Sequence, residues 1–350
     1  MKTGKILPRQ LAILLTVGAV PPLLLMRTPG AVWTAIPAVL AVGGVLLCPT
    51  AAWVRLEPAQ SLAQWVSAQS HRGLGRALAI LYATFLLLAG AETTARLGLL
   101  LRATELPNPM LPGLLVLLGV AAAYGVWMGI ESAARTCGLL AVGGVLLLIL
   151  LGGTLRTEWS PEQLRRAMNP GDSASIQAGV RLLGSLSPSV VLLTVLCPWS
   201  GTIRARHIGV LWTVWIGLAA GLATLCIGVL GDWAARQVHP LYAAALTAPH
   251  GTLLRPAGVF GALLILGAYA RLMGLLTGFT MCMQAFDARF VRSAACPLGA
   301  GVCVAVGVAL MRYAPMIDVL TALQTWCAPG IAVGVPLIVG CIRRRKERSG

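Results

Sequence analysis

The chain has 350 residues, of which 57% are hydrophobic and only 11% charged, and its formal net charge is +16. A soluble domain is about a quarter charged, so a chain of this length and composition could not cover its surface with polar groups in water. That excludes an ordinary soluble enzyme, a disordered chain and a secreted disulfide scaffold, and leaves an integral membrane protein. The basic excess, 27 Lys and Arg against 11 Asp and Glu, is scattered between apolar runs, with one cluster at 343–348. Such scatter follows the positive-inside rule and gives no footprint for nucleic acid.

A helix needs about 20 apolar residues to cross a bilayer. Ten such runs are present, at 9–27, 31–54, 77–101, 109–130, 136–154, 176–200, 207–231, 255–286, 294–311 and 323–342. The first follows Lys2, Lys5 and Arg9 as a secretory signal would. Pro21-Pro22 interrupts it and no small-x-small cleavage site follows, so it reads as a first membrane helix. Ten spans put both termini on one side. With that side cytoplasmic, its segments hold about twice as many Lys and Arg as the other side. Trp33 and Trp53 sit near the ends of the second span, as interfacial anchors would. The connections at 155–175 and 232–254 are long enough for short helices. The whole chain, 1–350, reads as one membrane domain, with halves at about 9–154 and 176–342.

Two irregularities stand out. Gly18-Ala19-Val20-Pro21-Pro22 interrupts the first span and Gly184-Ser185-Leu186-Ser187-Pro188 the sixth. Proline removes a backbone donor and glycine eases unwinding. In a membrane, the freed groups need a partner. Interrupted helices opening each of two five-helix halves point to an all-α, 5+5 inverted-repeat transporter-like fold with helices 1 and 6 broken around a ligand. Half-helix ends of both polarities suit a zwitterionic amino acid. The alternative is a pair of simple proline kinks.

Glu92 and Arg96 lie four apart in the third span and therefore share a helix face. They read either as a ligand contact through Glu92 or as a self-neutralising structural pair. Arg271, in the eighth span, has no local carboxylate and could meet Glu92 or a ligand carboxylate; Arg181 reads as a snorkelling side chain. The candidate ligand-binding residues are Thr16, Gly18 and Ala19 of the first span, Gly184, Ser185 and Ser187 of the sixth, Glu92 and Arg271. Gly217 and Gly221 read as ordinary helix packing. The nine cysteines form no C-x-x-C pair, the four histidines have no metal-ligand spacing, and no nucleophile elbow, Walker or Rossmann pattern occurs. The sequence therefore implies no enzyme, no cofactor and no metal.

Some stretches resemble a known family. Lys5-Ile6-Leu7-Pro8-Arg9-Gln10-Leu11 is similar to the basic lead that enters helix 1 of the B subunits of spore germinant receptors, in the amino acid–polyamine–organocation superfamily. Ala123-Tyr124, followed by Gly129-Ile130-Glu131-Ser132-Ala133-Ala134-Arg135, resembles that family's helix 4 ending and the turn after it. Cys197-Pro198-Trp199 sits where the family ends helix 6 with Pro and an aromatic residue. The chain departs from the pattern at Pro188-Ser189, where the family often has Gly-Glu, and near Leu99, apolar where the family is acidic. The resemblance implies a ten-helix transporter-like fold in the inner spore membrane or cell membrane. It also implies a small germinant, commonly an amino acid, and assembly with a larger A-type subunit and a lipoprotein C-type subunit. An amino acid or cation transporter on the same fold is the other expectation.

Overall fold

The computed structural model describes residues 6–56, 61–69, 72–103, 110–167, 172–200, 203–247, 256–287 and 292–336. Among these residues every regular element is helical. In chain order the α-helices are α1 (Pro8–Leu24), α2 (Pro29–Leu46), α3 (Cys48–Leu56), α4 (Leu62–Gln69), α5 (Arg72–Ala103), α6 (Leu111–Trp127) and α7 (Ile130–Leu155). They continue with α8 (Pro161–Ala167), α9 (Asp172–Leu196), α10 (Ala205–Leu230), α11 (Pro240–Thr247), α12 (Pro256–Phe286), α13 (Arg292–Arg312) and α14 (Ala314–Pro329). The chain leaves α14 through a π-helical turn at Gly330–Gly334.

Among the described residues, seven helical spans are long and apolar enough to cross a bilayer, and α1 and α6 are shorter apolar helices. The outward faces of α6 and α7 carry Leu117, Val120, Leu139, Val142, Leu146 and Ile149 in the open, a surface that lipid would cover and water would not. The protein is an integral membrane protein. The tenth expected span begins earlier than its apolar run, at Ala314; positions 337–342 and the basic cluster lie outside the described residues. The expected short helices are present as α8 and α11.

The long helices α5 and α12 pack against each other at the centre. Helix α13 lies on α5 and α6, while α1 is wedged among α12, α7 and α9. On the other side α2 joins α9 to α10, and α14 covers α9 and α5. The backbone N–H of Ile6 donates to the carbonyl of Trp199 at 2.8 Å. The start of α1 is thereby tied to the end of α9, so the two run antiparallel. At the start of α1, Pro8 takes the first helical position, where no backbone donor is needed, and the Leu7 N–H is met by Gln10 Oε1 at 2.9 Å.

Gly43 of α2 lets the indole of Trp212 lie against its backbone, and Trp212 Nε1 donates to the Leu40 carbonyl at 3.2 Å. Gly129, at φ 112°, makes the turn from α6 to α7 in a conformation that favours glycine. Glu131 and Arg135 then pair on the first turns of α7.

Three expectations are corrected. Trp53 is no interfacial anchor: it is 2% exposed, edge-on to Trp65 of α4 with ring centroids 5.5 Å apart. A Cβ at Gly217 or Gly221 would meet nothing within 4 Å among the described residues, so these glycines pack against no described neighbour. Finally, neither α1 nor α9 unwinds: α1 stays helical through Pro21 and Pro22, and α9 through Pro188. The reason lies in what meets their freed carbonyls.

Candidate functional site

A proline inside a helix withholds the N–H that would bond the carbonyl four residues earlier. Pro21 thus frees the carbonyl of Val17, Pro22 that of Gly18, and Pro188 that of Gly184. The last two find side-chain donors. Nη1 of Arg271 donates to Gly18 O at 2.9 Å, and the Ser187 hydroxyl donates to Gly184 O at 2.6 Å. With these two acceptors satisfied, unwinding at Gly18 or Gly184 has less to gain.

Arg271 makes two further hydrogen bonds, from Nη2 to the Ser185 carbonyl at 3.4 Å and from Nε to Thr93 Oγ1 at 3.0 Å. The Thr93 hydroxyl passes its own proton to Ala89 O at 2.7 Å. A single guanidinium on α12, only 5% exposed, therefore joins α1, α5 and α9. The two backbones pass close by: a Cβ at Gly18 would stand in ordinary contact, 3.6 Å from Arg271 Cα.

A second cluster joins α5 to α14. Arg96 Nε meets Glu92 Oε1 at 2.8 Å, and Arg96 Nη2 donates to Thr321 Oγ1 at 2.8 Å. The Thr321 hydroxyl lies 2.9 Å from Glu92 Oε1 and 2.7 Å from Ile317 O, and its one proton serves either acceptor.

Between these clusters lies a cavity of about 550 Å³. Its walls are Pro21 and Pro22 of α1, Glu92, Thr93 and Arg96 of α5, Gln177, Arg181 and Ser185 of α9, Ala268 and Arg271 of α12, and Asp318, Thr321, Ala322 and Trp326 of α14. Arg27 and Thr28, just beyond α1, complete the rim. Arg27 approaches Asp318 at 3.5 Å, both largely exposed. The wall thus bears four guanidiniums against two carboxylates, and both carboxylates are already paired.

Of the eight residues expected at the site, Glu92, Ser185 and Arg271 line this cavity. Gly18 reaches it only through the carbonyl held by Arg271. The other four lie elsewhere. Thr16 accepts from Trp215 Nε1 at 3.4 Å, Ala19 is fully buried, Gly184 packs against Thr325, and Ser187 is turned to its own helix. The physical reason is the continuity of the two helices. Once 18–22 and 184–188 stay helical, one face alone can meet the cavity. On α9 that face carries positions 177, 181 and 185, at four-residue spacing.

Arg271 does not pair with Glu92, which is taken by Arg96. The sequence reading missed Thr93, Asp318, Thr321 and Trp326. Asp318 and Thr321 lie on the part of α14 that precedes the apolar run at 323–342, Trp326 lies within that run as one apolar residue among many, and a threonine beside a glutamate carries no signal of its own. Among the described residues no group of three or more His, Cys, Asp and Glu could hold a metal ion.

No protein-family model matches this chain, and no curated protein matches it.

Proposed function

We propose that this chain is the membrane subunit of a nutrient germinant receptor, binding a small germinant in the cavity bounded by α1, α5, α9 and α14 and triggering spore germination. The observation that carries the ligand site is the cavity itself, walled at Arg271, the residue that also ties three helices together. A ligand that altered the hydrogen bonds of Arg271 would bias how α1, α5 and α9 sit, which is what a receptor requires. Ligand and switch must share a free-energy difference between two states. The germination role rests on the resemblance at 5–11, 123–135 and 197–199. With it come an A-type and a C-type partner subunit, the inner spore membrane, and both termini on the cytoplasmic side. The reading assigns the chain no chemical step.

Helix pairing supports the finer architecture, ten helices in a 5+5 inverted repeat. Moving each membrane helix of the first half onto its counterpart turns α1, α2, α5, α6 and α7 into α9, α10, α12, α13 and α14. That exchange converts the pairs α1–α7, α2–α9, α5–α13 and α7–α12 into α9–α14, α10–α1, α12–α6 and α14–α5, all of which pack together. The short helices follow suit, α4 packing on α5 as α11 packs on α12. Antiparallel α1 and α9 are what inversion demands.

The test is germination. Spores of the source organism lacking this gene should lose their response to one nutrient. The intact gene should restore that response, and an Ala322→Trp variant, which fills the cavity from its α14 wall, should not. The same pairing pattern favours a secondary transporter as the second reading; sustained uptake by liposomes holding the chain alone would establish it over the receptor.

A further inference from the structure

The charge arrangement of the cavity says more about the ligand than its size does. A volume of about 550 Å³ falls within the about 300–1,000 Å³ of ordinary small-molecule sites. Of the four guanidiniums on its wall, Arg96 is neutralised by Glu92 at 2.8 Å and Arg27 by Asp318 at 3.5 Å. Among the described residues no carboxylate pairs with Arg181 or Arg271. Arg271 spends three of its five N–H groups on Thr93 Oγ1, Gly18 O and Ser185 O. Those partners are all uncharged, and Glu92, whose charge reaches Arg271, is itself paired with Arg96, so two N–H groups of a buried guanidinium remain without a hydrogen-bond partner among the described residues.

We propose that the cavity takes a small dicarboxylate of four or five carbons, one carboxylate against Arg271 and the other against Arg181. The proposal rests on reading the cavity as the ligand site, and it replaces the zwitterion suggested by the sequence. Arg181 stands one helical turn from Ser185, whose carbonyl Arg271 already holds. Arg181 springs from α9 and Arg271 from α12, but the Arg271 guanidinium lies at the Ser185 carbonyl, about 6 Å along α9 from the Arg181 backbone, a spacing on the scale of such a diacid. Guanidinium forks match carboxylates in shape as well as charge. An ammonium group finds no free carboxylate here, because Glu92 and Asp318 are committed to Arg96 and Arg27. An amino group on the ligand is therefore a burden and its absence an advantage.

The experiment is calorimetric titration of the full chain in phosphatidylcholine nanodiscs, which carry no anionic headgroup, with succinate, butyrate, L-alanine and inorganic phosphate at fixed ionic strength. Succinate should bind at least about tenfold more tightly than each of the others. Arg181→Gln, at an exposed position, should bring succinate down to the affinity of butyrate and leave butyrate unchanged. L-alanine or phosphate binding as tightly as succinate overturns the dicarboxylate, as does succinate binding unaltered by Arg181→Gln. If L-alanine binds instead and Ala322→Trp abolishes that binding, the cavity stands as the ligand site and only the dicarboxylate falls. Absence of binding by all four probes removes both.

Discussion

The carbonyl of Gly18 and the guanidinium of Arg271, joined at 2.9 Å, complete each other: Pro22 takes a donor from α1 and α12 returns one. A similar exchange occurs on α9, where the Ser187 hydroxyl answers the carbonyl that Pro188 leaves open. Helix α1 thus continues through Pro22, and α9 through Pro188, without unwinding.

This relationship makes Arg271 and Pro22 energetically coupled. Arg271→Gln orphans buried acceptors, at about 1–3 kcal/mol for each carbonyl left unmet. Adding Pro22→Ala restores the N–H that Gly18 O lost and should recover about 1 kcal/mol of that cost, a non-additive result between residues in contact. Thermal unfolding of the four variants in detergent checks this. Strict additivity would mean that the Gly18 carbonyl is not what links them.

Gly184→Ala should destabilise the protein by about 1–3 kcal/mol, since a Cβ there would stand 2.8 Å from the backbone Cα of Thr325 on α14. Gly217→Ala, where a Cβ meets nothing within 4 Å, should be neutral or slightly stabilising. Equal effects at the two positions, measured by the same thermal assay, would contradict the packing of α9 on α14.

Glu92→Gln keeps an acceptor for Thr321 but removes the negative charge beside Arg96. The cavity wall becomes more positive, and succinate should bind about three- to tenfold more tightly. Calorimetry decides; weaker binding would contradict the electrostatic account of the cavity wall.

His239, between the 3₁₀ turn at Gly231–Arg236 and α11, has its Nδ1 buried without a hydrogen-bond partner among the described residues. Burial, and then the positive charges of Arg27 and Arg96, push its pKa down to about 4, against about 6.5 for an unperturbed histidine. The unfolded chain therefore takes up this proton more readily than the folded one. The stability that His239 contributes is complete above about pH 6.5 and is lost as pH falls from there toward about 4. The unfolding temperature should drop across that window, and His239→Gln should flatten the drop. An identical pH profile in the variant would show that this histidine is not responsible.

Much of the helical plan can be read from the sequence, because apolar runs long enough to span a bilayer have few other uses. The Glu92–Arg96 pair is legible for a similar reason: four-residue spacing on a helix leaves the two side chains side by side. The partners of Arg271 are not, because the carbonyl it holds lies 253 positions away and a backbone oxygen leaves no mark in a sequence. The prolines at 22 and 188 signal that a donor is missing. Whether a helix answers by unwinding around a ligand or by recruiting a side chain depends on what packs beside it, and here an arginine and a serine stand close enough. That one circumstance moves Thr16, Ala19, Gly184 and Ser187 off the cavity while leaving Glu92, Ser185 and Arg271 on it.

The cation that holds α1, α5 and α9 together is part of the chain. Unlike a bound metal ion, it is never diluted, never competed away by the salt on either side of the membrane, and needs no gradient to keep its place. The junction at Arg271 is therefore as intact in a membrane at rest, without ion pumping or electrical potential, as in an energised one.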